Sequence, residues 1–151
     1  MFGFYIQNIN AHQRYLQMAL NDAQKLTPIT PYIFATLSNH DAYVFEMLNS
    51  RFSKMQDDIG TKIFPVILEI AGAKSIAFID NLNMLEKLEI LESAAWWQSL
   101  RTLKNAIAQT DDTKHDVLAA HTNELLIKGQ EIIDFWEELK PKLEILKHKL
   151  P

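Results

Sequence analysis

The sequence predicts an all-α protein, an up-and-down bundle of four to five helices in one domain covering residues 1–151. Three observations carry this. Nearly every segment longer than ten residues spaces its apolar residues by three and four. No stretch of useful length alternates with period two. No internal repeat or low-complexity linker divides the chain. A first helix is expected over about Phe4–Leu26, with Ile6, Ile9, Leu16 and Leu20 turned inward, ending before Thr27-Pro28 because proline cannot continue it. From Pro31 to about Asp58, Leu37, Val44, Leu48, Phe52, Met55 and Ile59 trace one stripe of a second, long helix. Gly60 and Pro65 mark its break or kink.

The third segment, about Thr61–Ala71, is dense in apolar residues (Ile63, Phe64, Ile67, Leu68, Ile70) and should occupy the centre, with Gly72 as its C-terminal cap. Asp80 or Asn81 can cap a short helix holding Leu82, Leu85 and Leu88. Ser93 can cap the next, whose inner stripe is Trp96, Leu100, Leu103 and Ile107. The Thr110-Asp111-Asp112-Thr113 cluster ends it. A last helix from about Asp116 repeats Ile132, Trp136, Leu139, Leu143, Leu146 and Leu150 at alternating four and three, a packing seam that Pro141 should kink. That seam suits either internal packing or a partner helix.

Composition narrows the function. A chain of 151 residues with 48% hydrophobic and 23% charged residues can bury a core without staples. Having no cysteine, it has no disulfide framework, thiol catalysis or thiolate metal site, and fits a reducing compartment. The N-terminal MFGFYIQNIN lacks the pattern of a secretory signal, so the chain is expected to begin at Met1. Its longest apolar run, Ile63 to Ala73, is interrupted by Pro65 and Glu69 and falls short of the roughly 20 residues of a membrane span, so no membrane partner is expected. A net charge of −4 offers no general attraction to polyphosphate; nucleic-acid binding would need a local basic patch, for which Arg51, Lys54, Arg101 and Lys104 are candidates.

Five histidines stand at positions 12, 40, 115, 121 and 148. None pairs at helical ligand spacing with a carboxylate: His115 and His121 are separated by about 240° on a helix. No metal or cofactor is expected. Asp57 and Asp58, like Asp111 and Asp112, are neighbours that diverge by about 100°, so neither pair shares a face as an acid and base couple would. The glycines at 3, 60, 72 and 129 are isolated and form no phosphate loop. Trp96, Trp97 and Trp136 fit core packing at helical spacing, with Trp97 the better candidate for partial exposure or a partner surface.

Two blocks carry a family resemblance. Residues 51–65, RFSKMQDDIGTKIFP, followed by Ile67-Leu68-Glu69, resemble the "RFSKxQDxxGxKxFPxxLE" stretch of small HEPN proteins related to the HepT toxins and to nucleotidyltransferase substrate-binding subunits. Phe78-Ile79-Asp80 and Leu82-Asn83 through Leu88 lead on to Leu100-Arg101-Thr102-Leu103-Lys104-Asn105-Ala106-Ile107-Ala108-Gln109, which resembles the "Leu-Arg-x-Leu-Arg-Asn-x-x-Ala-His" helix of that superfamily. Together they cover roughly residues 45 to 110. The resemblance implies a HEPN-like bundle that dimerises and, where an arginine, histidine and tyrosine motif is intact, cleaves RNA without metal in a shared cleft. It also implies a separate nucleotidyltransferase partner.

The motif positions here are Lys104, Gln109 and Asp111, all departures, while Asn105 is unchanged. Lysine keeps charge but loses the planar two-point grip on phosphate. Glutamine has no proton to exchange near neutral pH, so acid-base catalysis, typically worth ~10² to 10⁴ in rate, has no agent at this position. Asp111 removes the hydroxyl that would accept a nucleotide. The first reading is thus a cytoplasmic, non-catalytic HEPN-like homodimer of a toxin-antitoxin or nucleotidyltransferase pair, binding a partner protein or the phosphate of a nucleotide or RNA. Its cleft candidates are Arg51, Asp57, Arg101, Lys104, Asn105 and Gln109. The alternatives are a ribonuclease using a relocated base, His115 or His121, with Lys104 on phosphate, and an unrelated helical adaptor.

Overall fold

The computed structural model describes residues 1–73 and 77–149, and these are helical with no strand among them. Helix α1 spans Phe2–Gln24, α2 Pro31–Ala35 and α3 Asn39–Asp58. A π-turn at Ile59–Ile63 leads into α4, Phe64–Ile70, and then come α5, Phe78–Lys87, α6, Ala94–Gln109, and α7, His115–Leu146. A 3₁₀ turn, Lys147–Lys149, ends the description, so Leu150 lies outside the described residues.

Paired residues show how the long helices run. His12 meets Asp58 while Tyr15 meets Arg51, so α1 and α3 are antiparallel. Asn10 and Gln17 of α1 bond Trp136 and Gln130 of α7, and Trp96 and Ser99 of α6 bond Glu131 and Lys128, so α7 is antiparallel to both. The four long rods therefore alternate up and down. Their inner faces form one core, including Ile9, Leu16, Phe52, Met55, Trp97, Leu100, Leu125 and Trp136. The two buried tryptophans are treated differently: the Trp136 indole N–H donates to Asn10 Oδ1 at 2.8 Å, whereas that of Trp97 has no acceptor among the described residues.

Several expectations hold as stated. Ser93 Oγ accepts from the Trp96 N–H at 3.1 Å and starts α6. Gly72 takes φ +75 just beyond α4, and the Ala73 N–H reaches back to the Leu68 carbonyl at 2.9 Å, the six-to-one bond that closes a helix end over a left-handed residue. Of the α7 seam, Ile132, Trp136, Leu139 and Leu143 are buried, while Leu146 is half-buried, and the helix continues through Pro141 to Leu146.

Others need correction. The long helix expected from Pro31 to Asp58 is two. Ser38, in extended conformation, caps a new start by accepting the Asp41 N–H on its hydroxyl, and Leu37 in the break is 40% exposed. At the next junction α3 ends at Asp58 as expected, but Gly60 and Pro65 mark a change of helix type rather than a gap: the Phe64 N–H donates to the Ile59 carbonyl five residues back, and the π-turn carries the chain without a loop from α3 into α4. Helix α5 begins at Phe78, ahead of Asp80 and Asn81, and Leu88 is exposed. The tryptophans are reversed, with Trp97 fully buried against Phe64 and Trp96 only half-buried. In α6, Ala94, Trp97, Leu100 and Leu103 face the core, so the inward stripe is rotated from the expected one at its N-terminal end.

Where α1 and α7 cross, Gly129 is buried beneath Leu20, and a Cβ at that position would stand 3.2 Å from the leucine methyl Cδ2. Two branched methyls there would force Leu20, itself buried, off its packing. Gly129→Val should lower unfolding stability by about 1–3 kcal/mol in denaturant titration, whereas an open groove at this crossing would tolerate it.

Candidate functional site

Polar chemistry gathers on both flanks of α3. Arg51 and Asp58 lie seven residues apart, about two helical turns, and so face the same side, toward α1. There the Arg51 guanidinium donates through Nη1 to His12 Nδ1 at 2.9 Å, and His12 Nε2 meets Asp58 Oδ2 at 2.9 Å. A guanidinium can only donate. Nδ1 must therefore accept, and the proton of the neutral ring sits on Nε2, where Asp58 accepts it. The Arg51 Cζ also stands 4.6 Å over the Tyr15 ring, a cation on an aromatic face.

His12 occurs between Ile9 and Leu16 on the inward side of α1, and only 13% of its side chain is exposed. Burial is the main cause holding its pKa below the usual histidine value; the hydrogen bond and charge of Asp58 oppose this, while Arg51 and Lys54 add to it. Protonating Nδ1 would also set an N–H against the guanidinium. The ring is thus a neutral bridge between a cation and an anion, with both nitrogens occupied. Sequence reasoning passed over His12 because its partners lie 39 and 46 positions away. The available signal was a polar residue placed inside the apolar spacing of α1.

The other flank of α3 faces α6. Asp57, about 100° round the helix from Asp58, accepts a hydrogen bond from the Lys104 ammonium. The two neighbouring aspartates serve different helices, as their divergence required. Arg51 is six residues from Asp57, about 9 Å of rise and 240° of rotation, so Arg51 and Lys104 do not converge on one ligand position. Arg101 sits apart from both, its Cζ 4.3 Å over the Phe78 ring of α5. Asn105 and Gln109 are exposed along the same side of α6 as Arg101. Of the six predicted cleft residues, the structure joins Asp57 to Lys104, ranks Arg101, Asn105 and Gln109 in one exposed row, and sends Arg51 to α1.

The remaining motif position, Asp111, closes the turn after α6 by accepting the N–H and hydroxyl of Thr113 on Oδ1, which holds its carboxyl below the usual range. His121 packs from α7 against Thr110, whose hydroxyl donates to the Ala106 carbonyl; the ring Nδ1 lies 3.2 Å from that hydroxyl oxygen. Ala106 is about 200° around α6 from Lys104, so His121 is on the α7 side of the helix and Lys104 on the α3 side. Among the described residues no group of three or more metal-ligating side chains converges. No helix among them is long and apolar enough to cross a membrane.

No family model, curated protein or solved structure matches this chain.

The neutral His12 bridge has a pH signature. Because its folded pKa lies below the unfolded value of 6.5, the unfolded chain binds the extra proton first, so this contribution is complete above pH 6.5 and is lost as pH falls toward the folded pKa. Glutamine can also accept from Arg51 and donate to Asp58, yet it does not titrate. Thermal unfolding followed from pH 7.5 to 5.5 should show a decline in wild type that is shallower in His12→Gln; parallel profiles would refute the assignment.

Proposed function

We propose that this chain is a non-catalytic, HEPN-like subunit that works as a homodimer beside a small nucleotidyltransferase and binds that partner, or nucleotide or RNA phosphate, along the exposed side of α6. The observation that carries the non-catalytic reading is the pairing of Lys104 with Asp57 in a position where a catalytic cation would face phosphate. A carboxylate in contact with that ammonium competes with any phosphate for it. On the exposed row of the same helix, Gln109 offers hydrogen bonding without proton exchange.

Binding has better support than turnover on this face. Arg101, Asn105 and Gln109 recur every four residues, so one exposed row carries a cation and two amides able to donate and accept. His12, the buried histidine of the polar network, has both nitrogens engaged and lies on the α1 flank.

Purified protein incubated with RNA in chelator should leave it intact, light scattering should give twice the 17.4 kDa chain mass, and a neighbouring reading frame should encode a small nucleotidyltransferase that co-purifies on co-expression. Metal-free cleavage that disappears in Lys104→Ala would overturn the non-catalytic reading. A monomer, or a nucleotidyltransferase that does not co-purify, would overturn the assembly.

A further inference from the structure

A groove of about 700 Å³ opens between the α5–α6 connection and the second half of α7, and it contains none of the residues discussed above as a cleft. That volume is in the range of small-molecule sites. Its floor is aromatic. Trp96 and Phe135 line it with ring centroids 5.3 Å apart, and Trp96 is the tryptophan of its pair that reaches the surface. The Trp96 indole N–H donates to Glu131 Oε1 at 2.9 Å, which fixes ring and carboxylate against each other.

The walls are acidic on both sides. Glu86, Glu89 and Glu92 come from the α5–α6 side and Glu131, Asp134 and Glu138 from α7, against one cation among the described residues of the lining, Lys142. Among the described residues none of these six takes part in an ion pair. Like charges gathered around a concave, low-dielectric surface raise the local potential and draw in cations. The aromatic floor selects among them, since ring faces attract organic ammonium groups lying on alkyl chains. Glu131, Asp134 and Glu138 are separated along α7 by about 4.5 and 6 Å of rise, a ladder of anions comparable in spacing to amines joined by three or four methylenes.

We propose that this groove is a binding site for a linear aliphatic oligoamine, its ammonium groups paired with the α7 carboxylates and its methylenes lying over Trp96 and Phe135. The inference stands independently of the HEPN-like reading. It commits to a small oligocation rather than a basic protein segment because the groove is of ligand size and acids line two of its walls.

Calorimetric titration of the full chain with the triamine spermidine at low ionic strength should show saturable one-to-one binding, accompanied by a change in tryptophan fluorescence. Asp134→Asn with Glu138→Gln should weaken it at least tenfold, while Asp112→Asn with Glu124→Gln, which removes equal charge elsewhere, should leave it unchanged. Both pairs replace exposed side chains, and unfolding curves check that each remains folded. Absence of saturable binding, equal weakening by the two pairs, or displacement by magnesium at matched charge would overturn the proposal. So would a lysine-rich peptide that binds the groove while spermidine does not.

Discussion

The seating of Trp97 against the rod formed by α3, the π-turn and α4 is the constraint on which the rest of the bundle depends. The indole is wholly buried, lies over Gly60, and contacts Phe64 at a centroid distance of 4.7 Å. Buried Met55, Ile59, Ile63 and Ile67 approach the core at four-residue intervals. On a regular α-helix those twelve residues would rotate about 120° past three full turns, carrying the last members away from the core. The wider π-turn absorbs about one residue of that drift, so the stripe stays in line and Phe64 is delivered to Trp97. Helix α6 is placed by this contact, and with it the row from Arg101 to Gln109.

Much of this architecture could be read from residue spacing, and the failures have specific causes. Ser93 and Gly72 were legible because a cap depends on its own side chain or its own φ. The break at Thr36–Ser38 was concealed by Leu37, which fits the period of the stripe although it ends up exposed; a serine hydroxyl available to the Asp41 N–H outweighed that coincidence. The adjacent tryptophans were interchanged because a shift of about 100° in helix phase exchanges neighbours, and the phase is set by Phe64 and Gly60, which are remote in sequence. On α3, sequence predicted that Asp57 and Asp58 would part, but not that each would find a basic partner on a different helix.

The polar groups also divide unevenly over the molecule. Around α3, Lys104 pairs with Asp57, and the neutral His12 ring bridges Arg51 to Asp58. Among the described residues the carboxylates that line the groove between α5 and α7 form no ion pair. A net charge of −4 therefore conceals one region of matched pairs and another of concentrated negative potential. Exposed ion pairs add little stability, about 0–1 kcal/mol each, so the matched region matters more for geometry than for energy.

The Arg51, His12 and Asp58 chain has such a geometric consequence. Apolar stripes on antiparallel helices can often slide past one another by a turn and still find greasy neighbours, which leaves several bundle arrangements close in energy. Moving α1 by about 5.4 Å relative to α3 would take His12 away from both Arg51 and Asp58 and lose the two hydrogen bonds that the ring makes across the helix pair, each worth about 0.5–1.5 kcal/mol net. The imidazole thus acts as an alignment key. It favours one longitudinal setting of the first helix over shifted alternatives that oil alone would not distinguish.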